Sequence, residues 1–424
     1  MTEEIALEQG MQGVLVEYLQ LALSRAGTDI MVDGIFGEKT CQAVKLFFQR
    51  ENCRVNAVDW ESLEPFLKGY TIYRIKRGDS LWRIAEQFQT QIGRIIVANP
   101  DINPMQLKIG SFLRVPYGFP LVPENVDYSS LLTGYIVEGL LARYPFFESK
   151  AIGKSVTGKE LRMLMIGSGK KEVFYNAAFH ANEWITIPVL LRFAEEYGMA
   201  YAEGKRLYGV DAAVLFREFR LYLLPLVNPD GVDLVNGAPL ETEYQTGAEQ
   251  IAADYPQISF PSGWKANIKG VDLNLQFPAG WELAKEIKYA QGYVSPASRD
   301  FVGAEPLEAP ESRAVYDFTM RHDLELILAY HTQGETIYWK YRDYEPPRSY
   351  EIARYFGEVS GYLVEETPAE SGNAGYKDWF IEQYNRPGYT IEAGLGENPL
   401  PMSQFPQIYR DNVGILLGGM TELL

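Results

Sequence analysis

The sequence predicts a multi-domain chain in which an all-helical segment and a short strand–helix–helix–strand module precede a large α/β domain. Three observations carry this expectation. The chain has 424 residues, too many for one simple core. Apolar residues recur at helical spacing through residues 10–50. Beyond residue 130, strand-like apolar runs alternate with helical ones, the pattern of a sheet covered by helices on both faces.

The net charge is −17 at pH 7 and is unevenly spread. Of 39 Lys and Arg and 56 Asp and Glu, residues 1–116 hold 13 and 14, so the acidity belongs to the C-terminal part. Such a surface repels nucleic acid and anionic membranes, and neither is expected as a partner. No stretch offers the roughly eighteen apolar residues that membrane insertion needs. The opening "MTEEIALEQG" has no basic and apolar leader pattern, so a soluble chain without a cleaved signal is expected. Cys41 and Cys53 are too few for a disulfide framework and read as two buried or half-buried thiols.

In the first segment, "VLVEYLQLAL" sets Val14, Tyr18 and Leu21 on one helical stripe and Leu15, Leu19 and Leu23 on its neighbour. The turn "DGIFGEKT" follows, and "TCQAVKLFFQ" resumes the helical period with Thr40 placed as N-cap. Leu19-Gln20, Asp33 to Gly37, Thr40, Ala43-Val44 and Phe48-Gln49 together resemble the small three-helix peptidoglycan-binding domain, giving a domain at 1–69. Residues 70–116 alternate first, turn helical from Ser80 and end in a strand, Phe112 to Val115. Gly78-Asp79-Ser80-Leu81-Trp82, Ile84-Ala85, Asn99-Pro100 and Leu107 to Pro116 resemble a LysM domain. That resemblance implies binding of an N-acetylglucosamine-containing glycan, with a groove near Gly78–Leu81 and Asn99–Ile102. Asp79 and Asn99 read equally well as capping and turn residues. A proline-bearing linker is expected at 117–130, and the α/β domain at 131–424.

The chemistry gathers at strand ends. His180 closes the apolar strand "VFYNAAF" and Glu183 opens the next helical run, at the sheet edge where open α/β folds bind ligands. His and Glu alone make a weak signal, but His331 ends a second apolar strand, "LELILAYH". Two histidines and a carboxylate with an open fourth position form a recognised catalytic zinc set. The remaining histidine, His322, lies in a charged segment and reads as a surface or capping residue. Hydrolysis also needs a base that is not a ligand, and Glu392, after the short strand "YTI", supplies one at the same edge.

His180-Ala-Asn-Glu183-Trp184, Asn228-Pro-Asp-Gly231, Gly270-Val-Asp-Leu-Asn274, Ala329-Tyr-His331-Thr332 and Thr390-Ile-Glu392 resemble, in this order, the zinc carboxypeptidases. The implied fold is an α/β/α sandwich with a mixed, mostly parallel eight-stranded sheet. The resemblance implies one zinc per chain held by His180, Glu183 and His331, Glu392 as catalytic base and acid, and Lys265 as oxyanion stabiliser. It implies substrate contacts at Asn182, Asn274, Lys377 and Tyr376. Digestive members carry arginine at the positions of Asn182 and Leu275. The second of those arginines grips the substrate's terminal carboxylate, and a leucine has no such fork.

The run from Trp264 to Trp281 and "GYKDWFIEQYNRPGYTIE" are similar to the bacterial γ-D-glutamyl-diaminopimelate peptidases of that family. The implied substrate is a peptidoglycan stem peptide, and Lys377, before Asp378-Trp379, would sit at the base of the specificity pocket. The family's mobile tyrosine has no clean counterpart: Tyr376 is nearest but out of register, and ungapped counting lands on Glu370. The alternatives are a carboxypeptidase, amidase or deacylase of the same fold acting on another substrate, or a non-catalytic wall-binding protein. A cytoplasmic enzyme is expected, with spore formation or the cell wall as its setting.

Overall fold

The computed structural model describes residues 6–368 and 372–424. Its first segment is a bundle of three helices, α1 (Val14–Arg25), α2 (Glu38–Phe48) and α3 (Ala57–Lys68). Helix α2 begins two residues before Thr40, with Gly37 at its N-cap. Thr40 is instead buried inside the helix, where its hydroxyl donates to Ile35 O and accepts from Gln20 Nε2. Cys41 and Cys53, expected as thiols, are joined in a disulfide with Cα atoms 4.9 Å apart. The helix start and the loop after α2 bring together two cysteines that are twelve positions apart.

The LysM module follows as β1 (Tyr70–Arg74), α4 (Leu81–Gln87), α5 (Ile92–Ala98) and β2 (Phe112–Pro116), the strands pairing antiparallel. Ile75, Leu81, Ile84, Ile95, Leu113 and Val115 form its own small core. The two ambiguous polar residues serve the backbone. Asp79 Oδ2 accepts the Lys76 N–H at 2.6 Å and the Tyr73 hydroxyl at 2.9 Å. Asn99 bridges to Ile95 O and to both backbone groups of Arg114.

Residues 117–130 are not a free tether. Leu121, Val122, Val126 and Tyr128 are almost fully buried, in a cluster that also holds Tyr18, Trp60, Leu132 and Phe193. The helical bundle and the α/β domain therefore share one apolar core. A buried backbone needs partners, and side chains supply them. Glu195 accepts the N–H groups of Leu121 and Val122, and Arg143 donates to the carbonyls of Gly69, Tyr117 and Phe119.

After α6 (Ser130–Arg143) the main sheet is built from β3 (Glu148–Lys154), β4 (Glu160–Ile166) and β5 (Lys171–Ala177). A two-residue hairpin, β6 (Arg206–Leu207) and β7 (Val210–Asp211), stands apart, and the sheet continues with β8 (Phe219–Leu224), β9 (Leu324–His331), β10 (Thr336–Tyr338), β11 (Leu363–Glu365) and β12 (Gly388–Glu392). Helix α8 (Ala212–Glu218) precedes β8, and α9 (Pro229–Val235), α10 (Thr242–Ala253) and α11 (Trp281–Ala290) lie between β8 and β9. Among the described residues the sheet has eight strands in the order β11-β10-β12-β9-β5-β8-β4-β3. Pairings β11·β10, β12·β9, β9·β5 and β5·β8 are parallel, and the other three are antiparallel. The central β9 is buried on both faces, as its near-continuous apolar run requires. Leu326, Leu328 and Tyr330 face helices α7 (Thr186–Ala202), α13 (Ser349–Ser360) and α15 (Phe405–Thr421). Ile327 and Ala329 face α12 (Pro310–Met320) and α14 (Tyr376–Tyr384), completing an α/β/α sandwich.

Candidate active site

Parallel strands β5, β9 and β12 end side by side at the sheet centre. Glu392 pairs in register with His331, and Ala177, the last residue of β5, with Tyr330. Ala178 then takes a left-handed conformation (φ 54°), and its N–H donates to Thr186 Oγ1. This turn delivers His180 and Glu183 over the strand ends before α7 begins. The NPDG motif holds the opposite wall. Asn228 caps its helix by accepting the Gly231 N–H, and its Nδ2 donates to the carbonyls of Phe179, Lys265 and Ala266. One asparagine thus ties the residue before His180 to the loop that carries Lys265.

The three ligand candidates converge, all with ligand atoms within 4.8 Å of one another. His180 Nδ1 lies 3.0 Å from Glu183 Oε1, His331 Nδ1 lies 2.9 Å from Glu183 Oε2, and the two Nδ1 atoms are 3.2 Å apart. The far nitrogen of His180, Nε2, faces Asp272 Oδ1 at 3.2 Å, the carboxylate–imidazole pairing that orients a metal-binding ring. Two ring nitrogens meeting one buried carboxylate demand positive charge. Burial opposes that charge on His180, yet Glu183 and Asp272 outweigh it and push the imidazole pKa up to about 9. On His331 burial wins, and its pKa falls. Glu183 is pulled well below the usual carboxylate range, because His180 and Lys265 together overcome its burial. This donor set fits one zinc ion, the demand for charge being met at the point where the ligand atoms meet.

The ligand atoms open into a cleft of about 250 Å³. Burial, then the neighbouring Glu183 charge, raises the Glu392 carboxyl to about 8, in the range of a group that takes and returns a proton. Lys265 donates to Glu183 Oε1 at 3.1 Å. Asn274 lines the cleft with its Oδ1 anchored by the Tyr376 N–H at 3.0 Å.

Two expected substrate contacts lie elsewhere. The Tyr376 ring is fully buried among Phe277, Phe179 and Trp379, with its hydroxyl 2.9 Å from Thr319 Oγ1, because α14 turns that side chain to the core. Asn182 is 3 % exposed and donates to Ser262 O, behind the ligand set. Lys377 does line the cleft, but its ammonium is committed: Asp378 Oδ1 at 2.6 Å, Thr367 Oγ1 at 2.8 Å and Lys340 O at 2.8 Å take it. Glu370 lies outside the described residues. His322 stacks on Phe318 and meets Glu172 at 3.2 Å, away from the ligands, as a half-exposed structural residue. Sequence reasoning gave no role to Asp272, although it stands inside the Gly-Val-Asp-Leu-Asn motif, and passed over Lys288, Arg299 and Asp300, which line the cleft.

Comparison with known proteins agrees with this geometry. The zinc carboxypeptidase family profile matches residues 136–414, and the LysM domain profile residues 73–116. The chain is 42 % identical over 404 residues to γ-D-glutamyl-L-diamino acid endopeptidase 1 of Lysinibacillus sphaericus, covering 82 % of this chain and 98 % of that protein. It is also 42 % identical over 318 residues to the uncharacterized protein YqgT of Bacillus subtilis, covering 74 % and 81 %. Bovine thrombin-activatable fibrinolysis inhibitor shares the fold, with a TM-score of 0.53 at 19 % identity over 71 % of this chain and 98 % of that one. With the profile spanning most of the chain and its ligand residues meeting at the centre of the family's sheet, this protein belongs to the zinc carboxypeptidase family.

Proposed function

We propose that the chain hydrolyses the bond between a γ-D-glutamyl residue and diaminopimelate in peptidoglycan stem peptides. The observation that carries this reading is a complete zinc-hydrolase set, His180, Glu183, His331 and Glu392, in a cleft where the carboxylate-gripping arginine of digestive members is Leu275. The L. sphaericus relative, similar along nearly its whole length, supports the substrate class. Zinc, when bound, supplies a Lewis acid that polarises the scissile carbonyl and acidifies the attacking water. Glu392 takes the water's proton and returns it to the leaving amine. Lys265, facing the cleft beside Glu183, places a point charge near the developing oxyanion. Asn274, pinned by the Tyr376 N–H, offers its amide to the substrate.

The proposal includes the domain division 1–69, 70–116 and 131–424, with the helical bundle as a second wall-binding element beside the LysM module. The LysM groove near Gly78–Leu81 and Asn99–Ile102 would take the N-acetylglucosamine-containing strand. It also includes a cytoplasmic setting with spore or cell-wall association, tested by fractionation of the producing cells; activity confined to the medium would contradict it. The decisive assay is mass spectrometry of L-Ala-γ-D-Glu-meso-diaminopimelate after incubation with the zinc-loaded protein. Release of free diaminopimelate is expected. An intact tripeptide, or removal of alanine instead, overturns the reading.

A further inference from the structure

The cleft holds cations beyond its catalytic set, and the most exposed of them presents a planar pair of donor groups with no partner among the described residues. Lys265 is held by Glu183, and Lys377 has its ammonium occupied by three partners. Lys288 sits 2.5 Å from Asp300 Oδ1. Arg299 differs. Its Nε meets Asp300 Oδ2 at 2.7 Å, and among the described residues no acceptor takes its two Nη groups. Its side chain is 40 % exposed where it lines the cleft, so those donors are open to a ligand. Asp300 is one negative charge shared by two cations, Lys288 and Arg299, and Asp272 is the next carboxylate acting on Arg299.

The backbone fixes this cluster to the reacting end of the cleft. Ser298 O accepts the N–H groups of Lys265 and Ala266 at 2.7 and 3.0 Å. The Asp300 N–H donates to Asp272 Oδ2 at 3.1 Å, on the same carboxylate that faces His180. Arg299 therefore stands between the loop of Lys265 and the residue that orients a metal ligand. A planar fork with one edge held and the other free matches a carboxylate.

Resting on the proposed substrate, we infer that Arg299 is a specificity-determining residue that binds a substrate carboxylate beside the scissile bond. It would do from the Ser298–Asp300 segment what Leu275 cannot do from the position where digestive relatives carry arginine. Of the three carboxylates of a γ-D-glutamyl-diaminopimelate unit, two flank the scissile bond, the α-carboxylate of the glutamyl residue and that of the acylated centre of diaminopimelate. Both share the chemistry that Arg299 recognises.

The test compares wild type, Arg299→Gln and Arg299→Lys on three peptides: the free tripeptide, its D-isoglutamine form and its diaminopimelate α-amide. Bound zinc is measured on each protein. Arg299→Gln should keep full zinc and lose about 10- to 100-fold in kcat/KM on the free tripeptide, the range for one charge-assisted contact. Its loss should shrink to within about threefold on whichever amide lacks the recognised carboxylate, which identifies the group bound. Arg299→Lys should recover part of the loss. An equal loss on all three peptides, or none, overturns the role of Arg299 while leaving the activity intact. Failure of the wild type to cleave the free tripeptide overturns the substrate reading and this inference with it.

Discussion

Replacing Asp272 tests whether the site is a metal centre whose ligands are oriented by the protein. Asp272 is 3 % exposed and makes three contacts: Oδ1 faces His180 Nε2 at 3.2 Å and accepts the Asn274 N–H at 3.2 Å, and Oδ2 accepts the Asp300 N–H at 3.1 Å. Burial works against its charge, but His180 and Lys265 outweigh burial and hold the carboxyl well below its usual range. Asp272→Ala frees the His180 ring to turn and removes the charge that raises the ring's basicity. Loss of such an orienting partner weakens metal binding by about 10- to 100-fold, or roughly 1.4–2.8 kcal/mol. Each N–H left without an acceptor costs a further 1–3 kcal/mol or so of stability. Asp272→Asn with its oxygen at Oδ1 still accepts from the ring and from the Asn274 N–H but sets its N–H₂ against the Asp300 N–H, so it should fall between. Zinc affinity is read by competition against a chromophoric chelator, and folded fraction by circular dichroism. A folded Asp272→Ala protein binding zinc within about threefold of wild type would refute the orienting role.

Glu392→Gln should bind zinc normally and lose at least about 10²- to 10⁴-fold in turnover, and a variant within tenfold of wild type would remove Glu392 from the mechanism. Glu195→Ala leaves Arg143 buried without its 3.0 Å partner and strands the Leu121 and Val122 N–H groups, so urea denaturation should show a loss of about 3–5 kcal/mol and proteolysis should open at residues 117–130. An unchanged midpoint would mean that the segment is held by packing alone. Glu17 is raised to about 7 by burial at the contact with Asp127, above its ordinary 4.5. The folded protein then binds a proton that the unfolded chain releases, so the contribution of Glu17 to stability is fully present below pH 4.5 and is lost as pH rises through about 7. Glu17→Gln should therefore raise the melting temperature at pH 8 and leave it nearly unchanged at pH 4.5, and an equal shift at both would contradict burial of the carboxyl.

The central strands and the ligand set were legible because each functional residue ends an apolar run. Strands β5, β9 and β12 are largely buried, so each carries a mostly apolar run that leads to His180, His331 or Glu392. The sheet edges were not legible. Glu148–Lys154 reads "ESKAIGK" and is largely exposed, with no alternation to detect, and β10 and β11 are three residues each. The helical apolar spacing of "SYEIARYFGEVSGYLV" runs past the true helix end: Gly361 at φ 81° stops α13, and Leu363 opens β11. Lys377 read as a pocket cation because its neighbours in sequence do not include Thr367 or Lys340, whose oxygens occupy it. Arg299 was invisible for the same reason in reverse: only the fold brings its segment against Lys265 and Asp272.

The buried connection between the modules changes how the wall-binding part serves catalysis. A flexible tether raises the local concentration of substrate and lets the catalytic domain search many bonds around one anchoring point. Here the connection cannot act that way, since Arg143 fastens the chain on both sides of the LysM module, at Gly69 before it and at Tyr117 and Phe119 after it. Arg94 within the module adds a bond to Gly118 O, and Phe66, Tyr117 and Phe119 stack in sequence along the junction. Under the proposed function, a polymer held by the module would meet the cleft at a fixed offset, and the bonds within reach would be set by the spacing of stem peptides along the glycan. Rigid docking gives up the breadth of that search and, in return, presents the substrate in one orientation, so that less freedom remains to be lost when a stem peptide enters the cleft.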